Sequence, residues 1–153
     1  MVIGVGNEFR RDDGIGPEVV SRLRGRTPAE LLVSDGEPSR MLEAWTGAAL
    51  AVVVDAVRPG RPVPGRPHRI VVDQADLPGA RPVSSHGLDL GDAIALARAL
   101  GRMPDRLIIH AVEAADTGLG VGLTPAVAAA ADGLAEAVLR DVQAAFQSSP
   151  PAC

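Results

Sequence analysis

Two carboxylates and one imidazole, from three separate parts of the chain, have the types needed for a metal site. Asp13 follows a Gly-rich segment, Asp55 follows an apolar run, and His86 precedes a helical pattern. Such ligands, with coordination positions left open, suit Zn²⁺ or Ni²⁺, and the bound ion can polarise a carbonyl group or a water molecule. The sequence therefore makes Asp13, Asp55 and His86 the candidate metal ligands and also the candidate catalytic residues.

Each of these residues also has a structural interpretation. Asp13 could cap the first helix, but Pro17 fits only a first helical turn, which places Asp13 in the loop before the helix. Asp55 could bond backbone N–H groups of the turn that follows it. His86 could be a first-turn helix residue without a chemical role. The metal-site hypothesis therefore depends on the three side chains meeting.

The opening segment has a partial likeness to a nucleotide-binding turn. Gly4 and Gly6 match two glycines of the G-x-G-x-x-G fingerprint, but Phe9 occupies the third position. Asp12 and Asp13 would repel a pyrophosphate, and a pair of carboxylates at a helix entrance favours a cation. A nucleotide-binding domain is therefore the less favoured alternative.

Other polar residues have weaker claims to chemistry. We expect His110, inside an apolar run, to be satisfied and semi-buried, and His68 to be solvated. Cys153 has no neighbouring base, so nucleophilic catalysis by its thiol is not expected. Three residues after the last predicted strand could line a substrate groove, namely Glu113, Asp116 and Thr117.

The elements that would position these residues are those of an α/β fold, a three-layer α/β/α sandwich. Apolar runs alternate with helical patterns, which predicts a mainly parallel twisted sheet of about five strands with helices on both faces. Residues 50–54 are apolar throughout, which indicates a central strand covered on both sides. The predicted strands are residues 1–5, 31–34, 50–55, 68–72 and 106–111. The candidate site would lie outside their carboxyl ends.

Four helices are predicted around the strands. The first starts near residue 15, and the second is a short one over 38–45. The third follows a cap at Ser84 or Ser85 and ends at Gly101, and the fourth starts at Thr124-Pro125. The residues of the fourth helix expected to face the core are Val127, Ala131, Leu134, Val138, Val142 and Phe146.

Composition limits the class of protein. The chain has 153 residues, of which 46% are hydrophobic, and this predicts a single domain over 1–147 with a flexible tail over 148–153. The net charge of −4 and the scarcity of aromatic residues argue against a nucleic-acid partner. The sequence has no leader pattern, no bilayer-length apolar run and one cysteine, so we expect a cytoplasmic protein without a membrane partner.

Four motifs in order along nearly the whole chain resemble the [NiFe] hydrogenase maturation endopeptidases. They are Gly4-Val5-Gly6-Asn7 with Asp12-Asp13-Gly14-Ile15-Gly16, Val52-Val53-Val54-Asp55-Ala56, Ser85-His86-Gly87-Leu88 and Gly122-Leu123-Thr124-Pro125. One segment departs from the family pattern. Asp35-Gly36-Glu37-Pro38-Ser39-Arg40 stands where the family often has Asp-Gly-Gly-Thr. The bulkier, charged loop bears on which hydrogenase is recognised.

The resemblance implies a hydrolase that removes the C-terminal extension of a [NiFe] hydrogenase large-subunit precursor after nickel insertion, cutting behind a basic residue. It implies an aspartyl-type peptidase that recognises the nickel through Asp13, Asp55 and His86. The substrate would supply the nickel, and we expect the isolated protein to be a metal-free monomer. Whether one acid serves as general base stays open. The alternative from another class is a nickel-sensing binding module without proteolysis.

Overall fold

The computed structural model describes residues 1–72 and 90–148, and this part of the chain contains five strands, four α-helices and one 3₁₀ turn. The strands are β1 (Val2–Val5), β2 (Leu31–Ser34), β3 (Ala51–Val57), β4 (Pro67–Val72) and β5 (Leu107–Glu113). The helices are α1 (Ile15–Leu23), α2 (Pro38–Trp45), α3 (Leu90–Leu100) and α4 (Pro125–Ser148), and the 3₁₀ turn spans Arg11–Gly14. His86, the predicted cap at Ser84 or Ser85, and residues 149–153 of the predicted tail lie outside the described residues.

The strands form one mainly parallel sheet in the order β2-β1-β3-β5-β4. β1 pairs in parallel with β2 and β3, and β3 pairs in parallel with β5. β4 runs antiparallel to β5. The predicted five-stranded, mainly parallel sheet is confirmed.

Both faces of the sheet are covered by helices. Val52 and Val54 of β3 belong to one apolar cluster with residues of α1 and α4. Ala51 and Val53 belong to a second cluster with residues of α2 and α3. The residues divide between two clusters because successive side chains of a strand point to opposite faces. All four side chains are fully buried. The central strand is therefore covered on both sides, as predicted, and the fold is a three-layer sandwich.

Helix α1 lies unusually close to the sheet. A Cβ atom on Gly4 would lie 2.3 Å from the carbonyl oxygen of Gly16. A Cβ atom on Gly16 would lie 2.3 Å from the carbonyl oxygen of Val5 and 2.8 Å from that of Val54. Only glycine fits at these contacts, and the first turn of α1 is held against the carboxyl ends of β1 and β3.

Three details differ from the sequence prediction. β3 continues two residues past Asp55, and β5 continues to Glu113. Phe146 was expected in the core and is 56% exposed, so that prediction is wrong. The physical reason is length, because a helix of 24 residues is about 36 Å long, whereas a strand of seven residues spans about 23 Å. The last turns of α4 therefore extend beyond the sheet.

None of the helices within residues 1–72 and 90–148 combines the length and the apolar character needed to cross a bilayer.

Candidate active site

Asp13 lies in the 3₁₀ turn between β1 and α1. Its side chain is fully buried, and the backbone N–H of Asn7 donates to its Oδ2 atom at 2.9 Å. Gly6 makes this arrangement possible, because it has φ +135° and a Cβ atom there would lie 1.9 Å from the carbonyl oxygen of Asp13. Helix α1 starts at Ile15 with Pro17 in its first turn. Asp13 therefore precedes the helix, as the position of Pro17 predicted.

Asp55 lies inside β3, two residues before the strand ends. It pairs with Ala111 of β5 and is 2% exposed. Strand alternation places its side chain on the same face as Val53, which is the face that α2 and α3 cover. The sequence prediction had the strand end at Asp55, and the two further residues place this carboxylate within the sheet.

The fold brings Asp13 and Asp55 to the same end of the sheet. The 3₁₀ turn that carries Asp13 contacts β3, and Gly16 of the adjoining helix lies against the carbonyl of Val54, the residue before Asp55. Both acids are therefore at the carboxyl ends of the strands, where ligands bind in open α/β sheets. His86 is not among the described residues, so the third member of the predicted set stays a prediction.

Asp12 has a structural role that the sequence did not indicate. Its fully buried carboxylate accepts backbone N–H groups from Ala115 at 2.8 Å, Asp116 at 3.0 Å and Thr124 at 2.7 Å. The hydroxyl of Thr124 also donates to it at 2.9 Å. The carboxylate thus joins the 3₁₀ turn to the start of α4, and we call this set of contacts the Asp12 clamp. Asp12 and Asp13 are therefore not a paired cation site.

The loops on either side of the clamp are bonded to each other. Residues 7–12 and 114–124 together form what we call the two-loop platform. The N–H of Gly120 donates to the carbonyl of Phe9 at 2.9 Å, and the N–H of Arg11 donates to the carbonyl of Gly120 at 2.9 Å. Arg11 has the left-handed φ of +48°, which is costly for a residue with a side chain. The backbone contacts across the platform hold it in that conformation.

Two of the residues considered for a substrate groove have contacts within the platform. The Asp116 carboxylate accepts from the N–H of Gly118 at 2.8 Å and lies 3.2 Å from Nε of Arg11. Thr117 is 7% exposed, and its carbonyl accepts from Nε of Arg10 at 3.2 Å. Both residues therefore stabilise the loop structure at this end of the sheet.

Glu113 and His68 form a separate pair at the end of β5. Glu113 is 4% exposed, and its carboxylate accepts from the backbone N–H of Val63 and lies 2.7 Å from Nε2 of His68. The hydrogen bonds from Val63 and His68 lower the pKa of Glu113 below its usual value. The side chain of His68 is 44% exposed, so the prediction that it is solvated is confirmed.

His110 is buried on the face of the sheet that α4 covers. Its Nε2 atom lies 2.7 Å from the Asp141 carboxylate, which also accepts from Nε and the NH2 group of Arg69. Burial lowers the pKa of His110, although its hydrogen bond to Asp141 opposes this effect. The prediction of a satisfied histidine in the apolar strand is confirmed. The described residues contain no group of three or more His, Cys, Asp and Glu side chains arranged to hold a metal ion.

Comparisons with known proteins identify the family to which this α/β fold belongs. A family model described as HycI, hydrogenase maturation protease, matches residues 17–141. The hydrogenase 2 maturation protease of Escherichia coli K12 is 28% identical, with 97% of this chain and 91% of that protein covered. The hydrogenase expression/formation protein HupD of Rhodobacter capsulatus is 33% identical, with 90% and 69% covered.

Solved structures share the fold. The hydrogenase maturating endopeptidase HybD from E. coli superposes with a TM-score of 0.74 at 24% identity, covering 93% of this chain and 90% of that one. The [NiFe] hydrogenase maturation protease HybD from Thermococcus kodakarensis gives 0.69 at 20% identity, covering 92% and 97%. This chain belongs to the hydrogenase maturation protease family. It is accordingly a peptidase, a hydrolase that processes hydrogenase precursors.

Proposed function

We propose that this protease removes the C-terminal extension of a [NiFe] hydrogenase large-subunit precursor after nickel insertion, and that Asp13, Asp55 and His86 recognise the nickel. The observation that carries the proposal is the position of Asp13 and Asp55. Two carboxylates, 0% and 2% exposed, come from different strand ends to the same end of the sheet.

The topology supports a contribution from His86. Helix α3 leads into β5, which is parallel to β3, so α3 runs back from the carboxyl to the amino ends of the strands. Its first residue, Leu90, packs in the same apolar cluster as Ala111, the partner of Asp55. His86 precedes Leu90 by four residues in the sequence. A histidine at this position is near enough along the chain to join the two acids.

The donor set fits nickel as part of the substrate. Imidazole and carboxylate are ligands that Ni²⁺ accepts, and three protein ligands leave positions for groups of the precursor. The three side chains would approach a common point at about 2.0–2.2 Å, the usual ligand distance for such metals. The ion would polarise the scissile carbonyl or activate a water molecule.

The experiment uses nickel-loaded precursor and follows the loss of its extension as a size shift on a gel. Asp13→Asn, Asp55→Asn and His86→Ala should each abolish processing, whereas the wild-type protease should cleave nickel-loaded but not metal-free precursor. Calorimetric titration of the isolated protein should show nickel binding weaker than nanomolar, because the site lacks a fourth protein ligand. Tight binding without substrate would contradict a substrate-borne ion.

Two matched variants control for the loss of an acid or a histidine as such. Asp105 is exposed and precedes β5 at the amino ends of the strands. His68 lies in the edge strand β4, which β3 and β5 separate from β1. Asp105→Asn and His68→Ala should both process precursor at the wild-type rate. Processing by all three site variants would refute the mechanism. Wild-type protein that binds the nickel-loaded precursor without cutting it would instead support a nickel-sensing module.

A further inference from the structure

Three large apolar side chains of the two-loop platform are exposed to solvent. Phe9 is 60% exposed, Leu119 is 85% exposed and Val121 is 77% exposed. Single exposed apolar residues are common on proteins, but a contiguous apolar group often marks an interaction site.

Backbone hydrogen bonds hold the two segments that carry these residues close together. Gly120 lies between Leu119 and Val121, and its N–H donates to the carbonyl of Phe9. An isolated parallel bridge joins Gly120 to Arg10. All three apolar residues are thus within one residue of a bridged position. The three exposed side chains are therefore carried by a hydrogen-bonded backbone. A preorganised surface of this kind loses less entropy on binding.

The platform is continuous with the candidate active site. Arg11 and Asp12 belong both to the platform and to the 3₁₀ turn that carries Asp13. The Asp12 clamp fixes that turn to the second loop of the platform. A polypeptide whose scissile bond reaches Asp13 therefore passes directly beside the platform.

We propose that the two-loop platform is the docking surface for the hydrogenase precursor, and that Phe9, Leu119 and Val121 contact an apolar part of that protein next to the cleaved segment. This inference rests on the proposed function, since the precursor is the partner that must approach Asp13. The platform supplies affinity for the folded body of the precursor, whereas the acids act on the bond to be cut. Burial of the three side chains removes apolar surface from water, which is the main favourable term in most protein association.

The test compares the wild type with the triple variant Phe9→Ser, Leu119→Ser, Val121→Ser. The matched control is Phe146→Ser, because Phe146 is 56% exposed and lines a cavity with Met1 and Leu50 at the opposite end of the sheet. Biolayer interferometry measures the Kd for metal-free precursor, which is not cleaved. Initial rates with increasing nickel-loaded precursor give KM and kcat separately.

The triple variant should raise both Kd and KM by about tenfold or more, with kcat within about twofold of the wild type, because it removes apolar surface that binding would bury and leaves the acids unchanged. The control should match the wild type in all three constants. Circular dichroism should show the same fold in every variant, since these side chains are outside the core. Unchanged Kd and KM in the triple variant would overturn the docking surface.

Two further outcomes would test the proposed function separately from the docking surface. A wild type that binds precursor but does not cleave it refutes the proposed function, and the Kd values still decide the docking surface. A wild type that binds no precursor refutes both. Sedimentation tests for self-association. If the wild type is a dimer and the triple variant is a monomer with unchanged affinity for the precursor, the platform is a self-association surface. That result would overturn the proposal.

Discussion

Asp12 and Asp13 are adjacent, equally buried and part of the same 3₁₀ turn, yet their carboxylates contact different parts of the molecule. Asp12 accepts hydrogen bonds from Ala115, Asp116 and Thr124, which belong to the loop before α4. Asp13 accepts from the N–H of Asn7, just after β1. Two neighbouring acids can therefore differ in role: Asp12 connects two parts of the fold, and Asp13 belongs to the proposed site.

The contacts of Asp12 predict that its replacement destabilises the fold. A buried carboxylate that accepts three backbone N–H groups and one hydroxyl makes charge-assisted hydrogen bonds, which are stronger than neutral ones. Removing an acceptor leaves the buried donors without a partner, and each such group costs about 1–3 kcal/mol. The same substitution at Asp13 affects a turn whose position the clamp already fixes.

The largest expected effect is therefore on the stability of an Asp12→Asn variant. A side-chain amide offers one acceptor oxygen in place of two, so the free energy of unfolding should fall by about 2–4 kcal/mol. Asp13→Asn should lower it by less than about 1 kcal/mol while abolishing processing. Urea unfolding followed by circular dichroism measures both values. Equal losses of stability in the two variants would remove the distinction between these acids.

A smaller effect is expected from Thr124→Val, which removes the hydroxyl bond to Asp12 and leaves the backbone N–H in place. The free energy of unfolding should fall by about 1–2 kcal/mol, because a buried carboxylate loses one donor. Thr124→Ser keeps a hydroxyl and serves as the control, with a loss of less than about 0.5 kcal/mol. If serine and valine destabilise equally, the hydroxyl does not contribute to the clamp.

The smallest expected effect is the pH dependence of stability that comes from His110. This histidine is hydrogen-bonded to Asp141, another acid with partners inside the fold. Burial lowers the pKa of its neighbour His110 below the ordinary 6.5, so the folded protein binds this proton less readily than the unfolded chain. The contribution of His110 to the free energy of unfolding is therefore fully present above about pH 6.5 and is lost as the pH falls below this value. Between about pH 7.5 and 5.5 the loss should be less than about 1 kcal/mol.

The variant His110→Gln isolates this contribution. It cannot titrate, so its free energy of unfolding should depend less on pH over the same interval than that of the wild type. Unfolding in urea at the two pH values gives both slopes. Identical slopes would mean that His110 does not titrate differently in the folded and unfolded states.

The strands and helices were predictable because their patterns are local. The apolar run ending at Val54 indicated a strand buried on both faces, and Pro17 located the start of α1. The core position of Phe146 was predicted wrongly for the same reason. Helical periodicity continues to that residue, but nothing in the local sequence shows where the sheet beneath it ends.

The role of Asp12 could not be read from its surroundings. Its partner Thr124 lies 112 residues away, and a side chain that bonds so distant a segment leaves no pattern near either residue. Thr124-Pro125 did indicate a helix start, but Thr124 uses its hydroxyl for the clamp. The sequence placed Asp13 and Asp55 after apolar strands, and the structure has both at the carboxyl ends of the strands. The chemical roles of Asp13, Asp55 and His86 stay predictions.

The long sequence separation within the Asp12 clamp has a consequence for the order of events during synthesis. The chain emerges from the ribosome N-terminus first, so the segment around Asp13 exists long before Thr124 is made. Closing so large a loop is an entropic cost that only later contacts can offset. A nascent chain therefore carries the 3₁₀ turn of Asp12 and Asp13 without its anchor, and the turn reaches its folded position only when the start of α4 has been translated.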